Sequence, residues 1–240
     1  MQNNGSPPTS AKTDKTPLTI LMPCLNEEKS IGKAIESIPV TELQNDGYEV
    51  EVLIVDGGSA DDTVKIAKAK GAKVITSRAG YGIQHRTGFL HASGSIIVTA
   101  DSDYSYPLED SPRFLRAMKE RQLDFITTNR FGKMEKDAMH PINKIGNKVL
   151  TLATNLLFGL SLKDSQSGMW FLRKDSLERL HLTSDGMSLS QEIKIEAFKK
   201  LQACEMDSRY RKRVGNTKLH RLIDGWKNLR HLFEKRLDLR

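Results

Sequence analysis

The chain lacks the features that mark disulfide-rich, zinc-stabilised or membrane-spanning proteins. Its 240 residues include only two cysteines, Cys24 and Cys204, which lie far apart and outside any metal-ligand spacing. This excludes a disulfide framework and a structural zinc site, and it is typical of a reducing compartment. The longest apolar stretch, 149–162, contains several polar residues and is shorter than the roughly 20 residues of a spanning helix. We therefore expect no transmembrane segment.

The two ends of the sequence differ in composition from the rest. Residues 1–17 are polar, rich in Ser, Thr, Pro and Asn, and without an apolar run, so we expect a disordered leader and no signal peptide. Residues 208–240 carry eleven Lys and Arg against three acidic residues, whereas the rest carries 26 basic and 27 acidic residues. Such a basic region favours an anionic partner, either a membrane surface or nucleic acid, although a solvated helix face has the same pattern.

Hydrophobic periodicity predicts alternating strands and helices in the first half of the chain. The predicted strands are 18–22, 50–55, 72–76, 95–100 and 124–128, and the predicted helices between them are 31–38, 62–69, 83–92 and 108–120. This order is typical of an α/β fold with a mostly parallel sheet and helices on both faces. Ligands of such sheets bind beyond the carboxyl ends of the strands, so the residues at those ends are candidate site residues.

Two carboxylates directly follow the predicted strand 95–100. Asp101 and Asp103, separated by Ser102, would stand at the exposed end of a buried strand. Mg²⁺ or Mn²⁺ prefers such oxygen ligands and is usually held by one or two carboxylates, with substrate phosphates in its other positions. A solvated turn that caps the next helix has the same short pattern. Further acids and glycines at 23–27, 56–59 and 80–82, after three other predicted strands, favour a metal and nucleotide site.

Five short segments stand in a fixed order along the chain. They are 22–28 (MPCLNEE), 55–63 (VDGGSADDT), 101–103 (DSD), 164–168 (DSQSG) and 213–219 (RVGNTKL). In this order they resemble the family 2 glycosyltransferases of GT-A fold, and within them the dolichyl-phosphate sugar synthases. The resemblance implies an inverting transfer of a sugar from GDP-mannose or a UDP-hexose to dolichyl or polyprenyl phosphate, with Mg²⁺ or Mn²⁺ as cofactor.

The resemblance also implies donor-side roles for matching residues. Asp101 and Asp103 would be catalytic as ligands of the metal that bridges the donor's two phosphates. Ser105 replaces a glutamine that relatives commonly carry, and it would contact the metal only weakly or through water. The residues that would border the nucleotide-sugar are Pro23, Leu25, Glu27, Asp56 and Ser102. Asp56 would accept a hydrogen bond from the base. Alternatively, Glu27 only begins a helix and Asp56 only caps a turn.

On the acceptor side, the resemblance implies that Arg130, Arg213 and Lys218 bind the lipid phosphate. Guanidinium groups suit this role because they present paired donors to phosphate oxygens. Asp164 is a further catalytic candidate: it would align the acceptor or contact the sugar, or equally it would support its own loop through neighbouring serines. A phosphate acceptor is largely anionic near neutral pH, since its second pKa is about 6, and therefore needs no strong general base.

Apolar residues recur at helical spacing near the C-terminus, with basic residues between them. This pattern predicts a basic amphipathic helix over 216–240 after a GT-A domain over 18–215. Basic flanks and an apolar stripe are typical of a helix that lies in a membrane interface, and a second amphipathic stretch over 145–160 fits the same location. A helix that docks on the domain or pairs with another chain has the same spacing. We expect a peripheral protein at an anionic membrane surface on the cytoplasmic face.

Two other functions are compatible with the sequence. Transfer to a growing glycan would use the same donor site, but a neutral acceptor would not require Arg130, Arg213 and Lys218. A non-enzymatic lipid-binding or RNA-binding protein would not require Asp101 and Asp103. The basic tail also has few aromatic residues for stacking on bases, so we expect no nucleic acid partner. No motif specifies the donor sugar, its base or the oligomeric state.

Overall fold

The computed structural model describes residues 15–215 and 221–238, which form one seven-stranded sheet and eight α-helices. The strands are β1 (Thr16–Cys24), β2 (Tyr48–Asp56), β3 (Lys73–Thr76), β4 (Ile96–Thr99), β5 (Phe125–Met134), β6 (Trp170–Arg173) and β7 (Ala203–Tyr210). The helices are α1 (Ile31–Glu36), α2 (Val40–Asn45), α3 (Thr63–Ala69), α4 (Tyr81–His91), α5 (Ser111–Glu120), α6 (Pro141–Phe158), α7 (Leu189–Lys200) and α8 (Arg221–Asp238).

The sheet is mostly parallel, as the strand and helix alternation predicts. Its order is β3-β2-β1-β4-β6-β5-β7, and β6 alone runs antiparallel to its two neighbours within the described residues. Strands β1, β2 and β4 are joined through helices, because parallel neighbours need a crossover connection. Their carboxyl ends therefore meet at one edge of the sheet.

Helices cover both faces of the sheet, because alternate side chains of each buried strand point to opposite sides. In β1, Leu18, Ile20 and Met22 pack into the core beneath α1, α2, α3 and α5. Leu21 points the other way, into a second core that includes residues of α4 and α7. The predicted architecture, an α/β sheet between two helical layers, is confirmed.

Several predicted boundaries were wrong. β1 already begins at Thr16, two residues inside the predicted leader, and residues 1–14 of the leader lie outside the described part of the chain. The predicted strand 124–128 is only the first half of β5, so Arg130 lies within this strand and does not follow it. The residues after Thr128 continue the strand because β7 pairs with them. The pairing has a register irregularity between Asn129 and Lys133.

The sequence did not predict α7, because its buried residues are not all apolar. Gln191, Glu192, Lys194 and Glu196 are each buried on this helix. Charged side chains are rarely buried unless they are paired, and a hydrophobic pattern does not reveal pairing. α7 therefore lacks the apolar periodicity that identifies most core helices.

The C-terminal helix α8 docks on the domain with one face and exposes another. Leu232 packs with Phe158 and Ile195, and Lys235 is only 2% exposed. On the other face, Trp226 is 72% exposed and Phe233 is 53% exposed. The docked face confirms the alternative of a helix that packs on the domain, whereas a membrane contact of the exposed face stays a prediction. None of the described helices has the length and apolar character required to cross a bilayer.

Candidate active site

A cleft of about 800 Å³ opens at the carboxyl edge of the sheet. The end of β1 contributes Pro23, Leu25 and Glu27, and the segment after β4 contributes Asp101 and Asp103. These residues converge because β1 and β4 are adjacent and parallel. Ligands of parallel sheets bind at this edge, so the cleft is the candidate active site. Its remaining walls come from the start of α4, the loop 184–188, Arg213 and α8.

Asp103 is held by its own loop and by Arg213. Its Oδ1 accepts hydrogen bonds from the backbone N–H of Ser105 at 3.0 Å and from the Ser105 hydroxyl at 2.6 Å. Its Oδ2 lies 3.6 Å from Nη1 of Arg213. The Ser105 hydroxyl, predicted as a metal contact, thus donates to Asp103 and orients it.

The acidic pair suits a divalent cation. Burial, and secondly the charge of Asp103, raise the pKa of Asp101, because a second carboxylate at this edge opposes ionisation of the first. A cation would relieve this repulsion. No group of three or more His, Cys, Asp and Glu side chains among residues 15–215 and 221–238 could hold a metal. Two carboxylates with substrate phosphates in the other positions are a common arrangement for Mg²⁺, so the pair fits such an ion.

The residues predicted to contact the nucleotide make different hydrogen bonds in the structure. Ser102 donates its hydroxyl to the carbonyl of Pro23 at 2.9 Å and so ties the acidic segment to β1. Glu27 accepts from Nη2 of Arg213 at 3.0 Å and from the Ser30 hydroxyl at 2.8 Å. The carboxylate of Asp56 is buried and closes its own turn.

The Asp56 oxygens accept from the backbone N–H groups of Gly58 and Ser59 and from the Ser59 hydroxyl. Asp56 is not among the described residues that line the cleft. This geometry is the turn-capping alternative that the sequence left open. A contact of Asp56 with the base stays a prediction.

Arg130 and Asp164 form a buried ion pair away from the lining of the cleft. The Arg130 guanidinium donates through Nε to Oδ2 at 2.6 Å and through Nη2 to Oδ1 at 2.8 Å. Burial raises the pKa of the Asp164 carboxyl, but the charge and hydrogen bonds of Arg130, together with the charge of Lys194, outweigh this effect and hold that pKa below its ordinary value. Asp164 also accepts from the backbone N–H of Gln166, and it does not hold its loop through the serine hydroxyls predicted for that role.

Lys194 supports the loop 164–168 through hydrogen bonds. Its buried Nζ donates to the carbonyls of Ser165 at 2.9 Å and Ser167 at 2.7 Å. Burial lowers the pKa of Lys194 to about 7, and the charge of Asp164 opposes this shift. The end of the loop approaches the acidic pair closely, since a Cβ on Gly168 would lie 3.0 Å from Oδ1 of Asp101. A side chain at position 168 would therefore displace a candidate metal ligand.

The cleft contains residues that the sequence did not single out. Tyr81 lines it at the start of α4, where a Cβ on the neighbouring Gly82 would collide with the carbonyl of Ser184. The sequence already marks the segment 80–82 through its glycines, which often indicate a close approach of two backbones, but it does not single out the Tyr81 side chain. Five residues of α8 also line the cleft, namely Lys227, Asn228, Arg230, His231 and Glu234. Lys218 lies outside the described residues.

The comparisons with known proteins agree with this architecture. The model of the family "Glycosyl transferase family 2" matches residues 19–181. The low-salt glycan biosynthesis hexosyltransferase Agl6 of Haloferax volcanii is 32% identical over 93% of the chain, which spans 55% of that protein. A dolichyl-phosphate hexose transferase of the same organism is 32% identical over 87% of the chain and 89% of its own length.

A solved structure has the same fold. Glucosyl-3-phosphoglycerate synthase from Mycobacterium tuberculosis, in complex with Mn²⁺, UDP and glucosyl-3-phosphoglycerate, superimposes with a TM-score of 0.74 and 22% identity. The match covers 94% of this chain and 81% of that one. The chain therefore belongs to glycosyl transferase family 2, and it is a glycosyltransferase with the GT-A fold.

Proposed function

We propose that the protein transfers a hexose from a nucleotide-sugar, GDP-mannose or a UDP-hexose, to dolichyl or polyprenyl phosphate at the cytoplasmic face of a membrane. The observation that carries the proposal is the position of α8, which lines the cleft with polar residues and exposes Trp226 and Phe233 on its outer face. A site for polar substrates thus lies beside an apolar surface. The dolichyl-phosphate hexose transferase of Haloferax volcanii supports the same class of acceptor.

On the donor side, Asp101 and Asp103 would hold Mg²⁺ or Mn²⁺, which neutralises the charge that develops on the leaving diphosphate. Pro23, Leu25 and Glu27 line the cleft around the expected position of the nucleotide. Ser102 fixes the acidic segment to β1 through the carbonyl of Pro23. Donor binding would displace or share the contacts of Arg213, because this guanidinium faces both Glu27 and Asp103.

The proposed step is an inverting displacement at the anomeric carbon. An oxygen of the acceptor phosphate attacks this carbon and forms the new C–O bond, while the bond to the donor diphosphate breaks on the opposite face. The electron pair of that bond leaves with the nucleoside diphosphate. The attacking oxygen is already largely anionic near pH 7, so the protein has to position it and need not deprotonate it.

The proposed acceptor residues Arg130, Arg213 and Lys218 have different surroundings. Arg130 uses Nε and Nη2 for Asp164, so an acceptor phosphate would meet an already neutralised ion pair. Asp164 would then act by fixing Arg130 and the loop 164–168. Arg213 lies in the cleft lining and would reach either the acceptor or the donor diphosphate. The role of Lys218 rests on the sequence motif alone.

The membrane contact would use the outer sides of α6 and α8, which we call the α6/α8 apolar surface. Its exposed residues are Ile142, Ile145, Val149, Leu152, Leu156, Trp226, Phe233 and Leu237. Exposed apolar patches of this kind mark protein or membrane contact sites. The high basic charge of the C-terminal region adds attraction to anionic lipid, by about 1 kcal/mol for each basic residue near the surface.

A donor screen tests the proposed function. Purified full-length protein would be incubated with GDP-mannose, UDP-glucose and other UDP-hexoses, a short polyprenyl phosphate, and Mn²⁺ or Mg²⁺. We expect release of nucleoside diphosphate and a glycosylated lipid with one donor, and no product when EDTA removes the metal. Product formed with a glycan acceptor, and none with polyprenyl phosphate, would replace this proposal with transfer to a growing glycan.

A further inference from the structure

The helix α8 presents four different surfaces around its axis. Successive residues of an α-helix are rotated by about 100°, so residues seven or eleven apart share a face. Trp226, Phe233 and Leu237 accordingly lie on the exposed outer side. Lys227 and Arg230 follow next to this side and line the cleft that contains Asp101 and Asp103. The two cations thus stand between the apolar surface and the acidic pair.

The next face of α8 fixes this arrangement through buried and partly buried amide hydrogen bonds. The Asn228 side chain donates through Nδ2 to Oε1 of Gln166 at 3.2 Å. The backbone carbonyl of Asn228 accepts from Nε2 of Gln191 at 2.6 Å. Gln166 also donates to Oε1 of Gln191 at 3.0 Å, which closes a triangle of three amide residues. The helix is therefore joined directly to the loop 164–168, which we call the acceptor loop because it carries the proposed acceptor-side residue Asp164.

A buried ion-pair cluster anchors the other end of α8. Nζ of Lys235 lies 3.3 Å from Glu192 and 2.9 Å from Glu196, and it donates to the carbonyl of His181. The fourth face packs Leu232 against α6 and α7. With both anchors in place, the cations of the cleft face are held at a fixed position relative to the acceptor loop.

Two other cations of the proposed site, Arg130 and Arg213, already form ion pairs. Arg130 is paired with Asp164, and Arg213 faces both Glu27 and Asp103. Lys227 forms no ion pair within the described residues, and Arg230 pairs with Glu234 of its own helix in an exposed, weak contact. Among residues 15–215 and 225–237, Lys227, with Arg230 beside it, is thus the cationic group of the cleft lining most available to an anion that enters from the apolar side.

We propose that Lys227 and Arg230 form a binding site for the phosphate group of a prenyl-chain lipid at the mouth of the cleft. This deepens the proposed function and rests on it. The prenyl chain would lie along the apolar side of α8 near Trp226, and the phosphate would bind one helical face further round, toward Asp101. An amphipathic ligand with one anionic end and one apolar end matches this order of faces.

The test compares the double variant Lys227→Gln, Arg230→Gln with Arg236→Gln, which removes one charge from the same helix outside the cleft lining. Neutral phosphatidylcholine vesicles would carry either a short polyprenyl phosphate or the corresponding polyprenol, and flotation would measure binding of the full-length protein. We expect the wild type and Arg236→Gln to prefer the phosphate vesicles, and the double variant to lose at least tenfold in this preference. The KM for the lipid acceptor should rise by a similar factor.

Failure of this site is distinguishable from failure of the proposed function. If the wild type transfers sugar to polyprenyl phosphate, but the double variant keeps its vesicle preference and acceptor KM, the site is wrong and the function stands. If no transfer occurs but the vesicle preference depends on the two residues, the function is wrong and the lipid phosphate site stands. The wild type could also prefer phosphatidylglycerol vesicles of the same charge as strongly as polyprenyl phosphate vesicles. This result would show that the site is not specific for a prenyl phosphate and would overturn the proposal.

Discussion

The residues proposed for the donor side and for the acceptor side are held by contacts that span different distances along the chain. On the donor side, the carboxylates of Asp56 and Asp103 accept hydrogen bonds from residues only two or three positions away. On the acceptor side, Arg130 and Asp164 are 34 residues apart, and Glu192 and Lys235 are 43 residues apart. Asp56 and Asp103 are oriented mainly by their own loops, although Arg213 also reaches Asp103, whereas the pairs of the proposed acceptor side form only when distant segments pack together.

This difference predicts different responses to substitution. A change in a donor-side carboxylate should alter chemistry and leave stability nearly intact, because few distant contacts depend on it. A change in an acceptor-side ion pair should alter stability together with acceptor use, because breaking a buried pair leaves an uncompensated charge.

The largest effect is expected for Asp103→Asn, which removes one charge from the acidic pair without changing its volume. We expect transfer to fall about a thousandfold, equivalent to about 4 kcal/mol in the barrier, with an unchanged melting temperature. Steady-state rates and thermal unfolding measure the two effects. Asp62→Asn, an exposed acid at the same sheet edge, is the matched control. Retention of more than about a tenth of the wild-type rate would contradict the metal role.

Arg130→Met should instead destabilise the protein, by about 3–5 kcal/mol, because it leaves Asp164 charged and buried. The double variant Arg130→Met, Asp164→Leu should recover most of this loss, since neither charge is then unpaired. Denaturant unfolding of the three proteins measures the effect. If Arg130 also binds the acceptor, the double variant stays defective with the lipid phosphate. Full activity of the stable double variant would show that the pair is structural alone.

Glu192 provides a test based on pH. Burial raises its pKa, but hydrogen bonds and the charge of Lys235 outweigh this effect and lower that pKa to about 2, from an ordinary value of 4.5. A carboxyl with a lowered folded-state pKa stabilises the fold above pH 4.5, and this contribution disappears as the pH falls toward 2. We expect Glu192→Gln to reduce stability by about 3 kcal/mol at pH 7 and to flatten the decline in acid.

Unfolding curves at several pH values between 7 and 3 measure this effect as the difference between wild type and Glu192→Gln. Glu178→Gln provides a control, since Glu178 is exposed on the surface. Parallel pH profiles for wild type and Glu192→Gln would show that the anchor of α8 does not depend on this carboxylate.

The smallest effect in energy is expected at the α6/α8 apolar surface. Replacing Trp226 and Phe233 with Glu should weaken vesicle binding by about 2–3 kcal/mol, because it removes two exposed aromatic groups and adds two negative charges. The fold should be unaffected, since both side chains point away from the domain. Wild-type binding should be stronger with anionic lipid and weakened, but not abolished, by high salt. Unchanged flotation of the variant would assign this surface to another partner.

The sequence alone is enough to bring the residues of the proposed donor side to one edge of the sheet. The strands β1, β2 and β4 follow from short apolar runs, and the acids that end them follow directly in the chain. Since parallel neighbours end at one edge, the position of Pro23, Asp101 and Asp103 in one cleft could be predicted without coordinates. The resemblance to family 2 glycosyltransferases rested on these same local segments, and the family match confirms it.

The contacts of the proposed acceptor side could not be predicted from the sequence. The sequence assigned Arg130 and Asp164 separate roles, but packing makes each the partner of the other. It also offered a docked or a membrane-bound C-terminal helix, and the structure shows that one face of α8 is docked on the domain and another is exposed. The physical reason is that strand and helix patterns depend on neighbouring residues, whereas the pairing of buried charges depends on which distant segments the fold brings together.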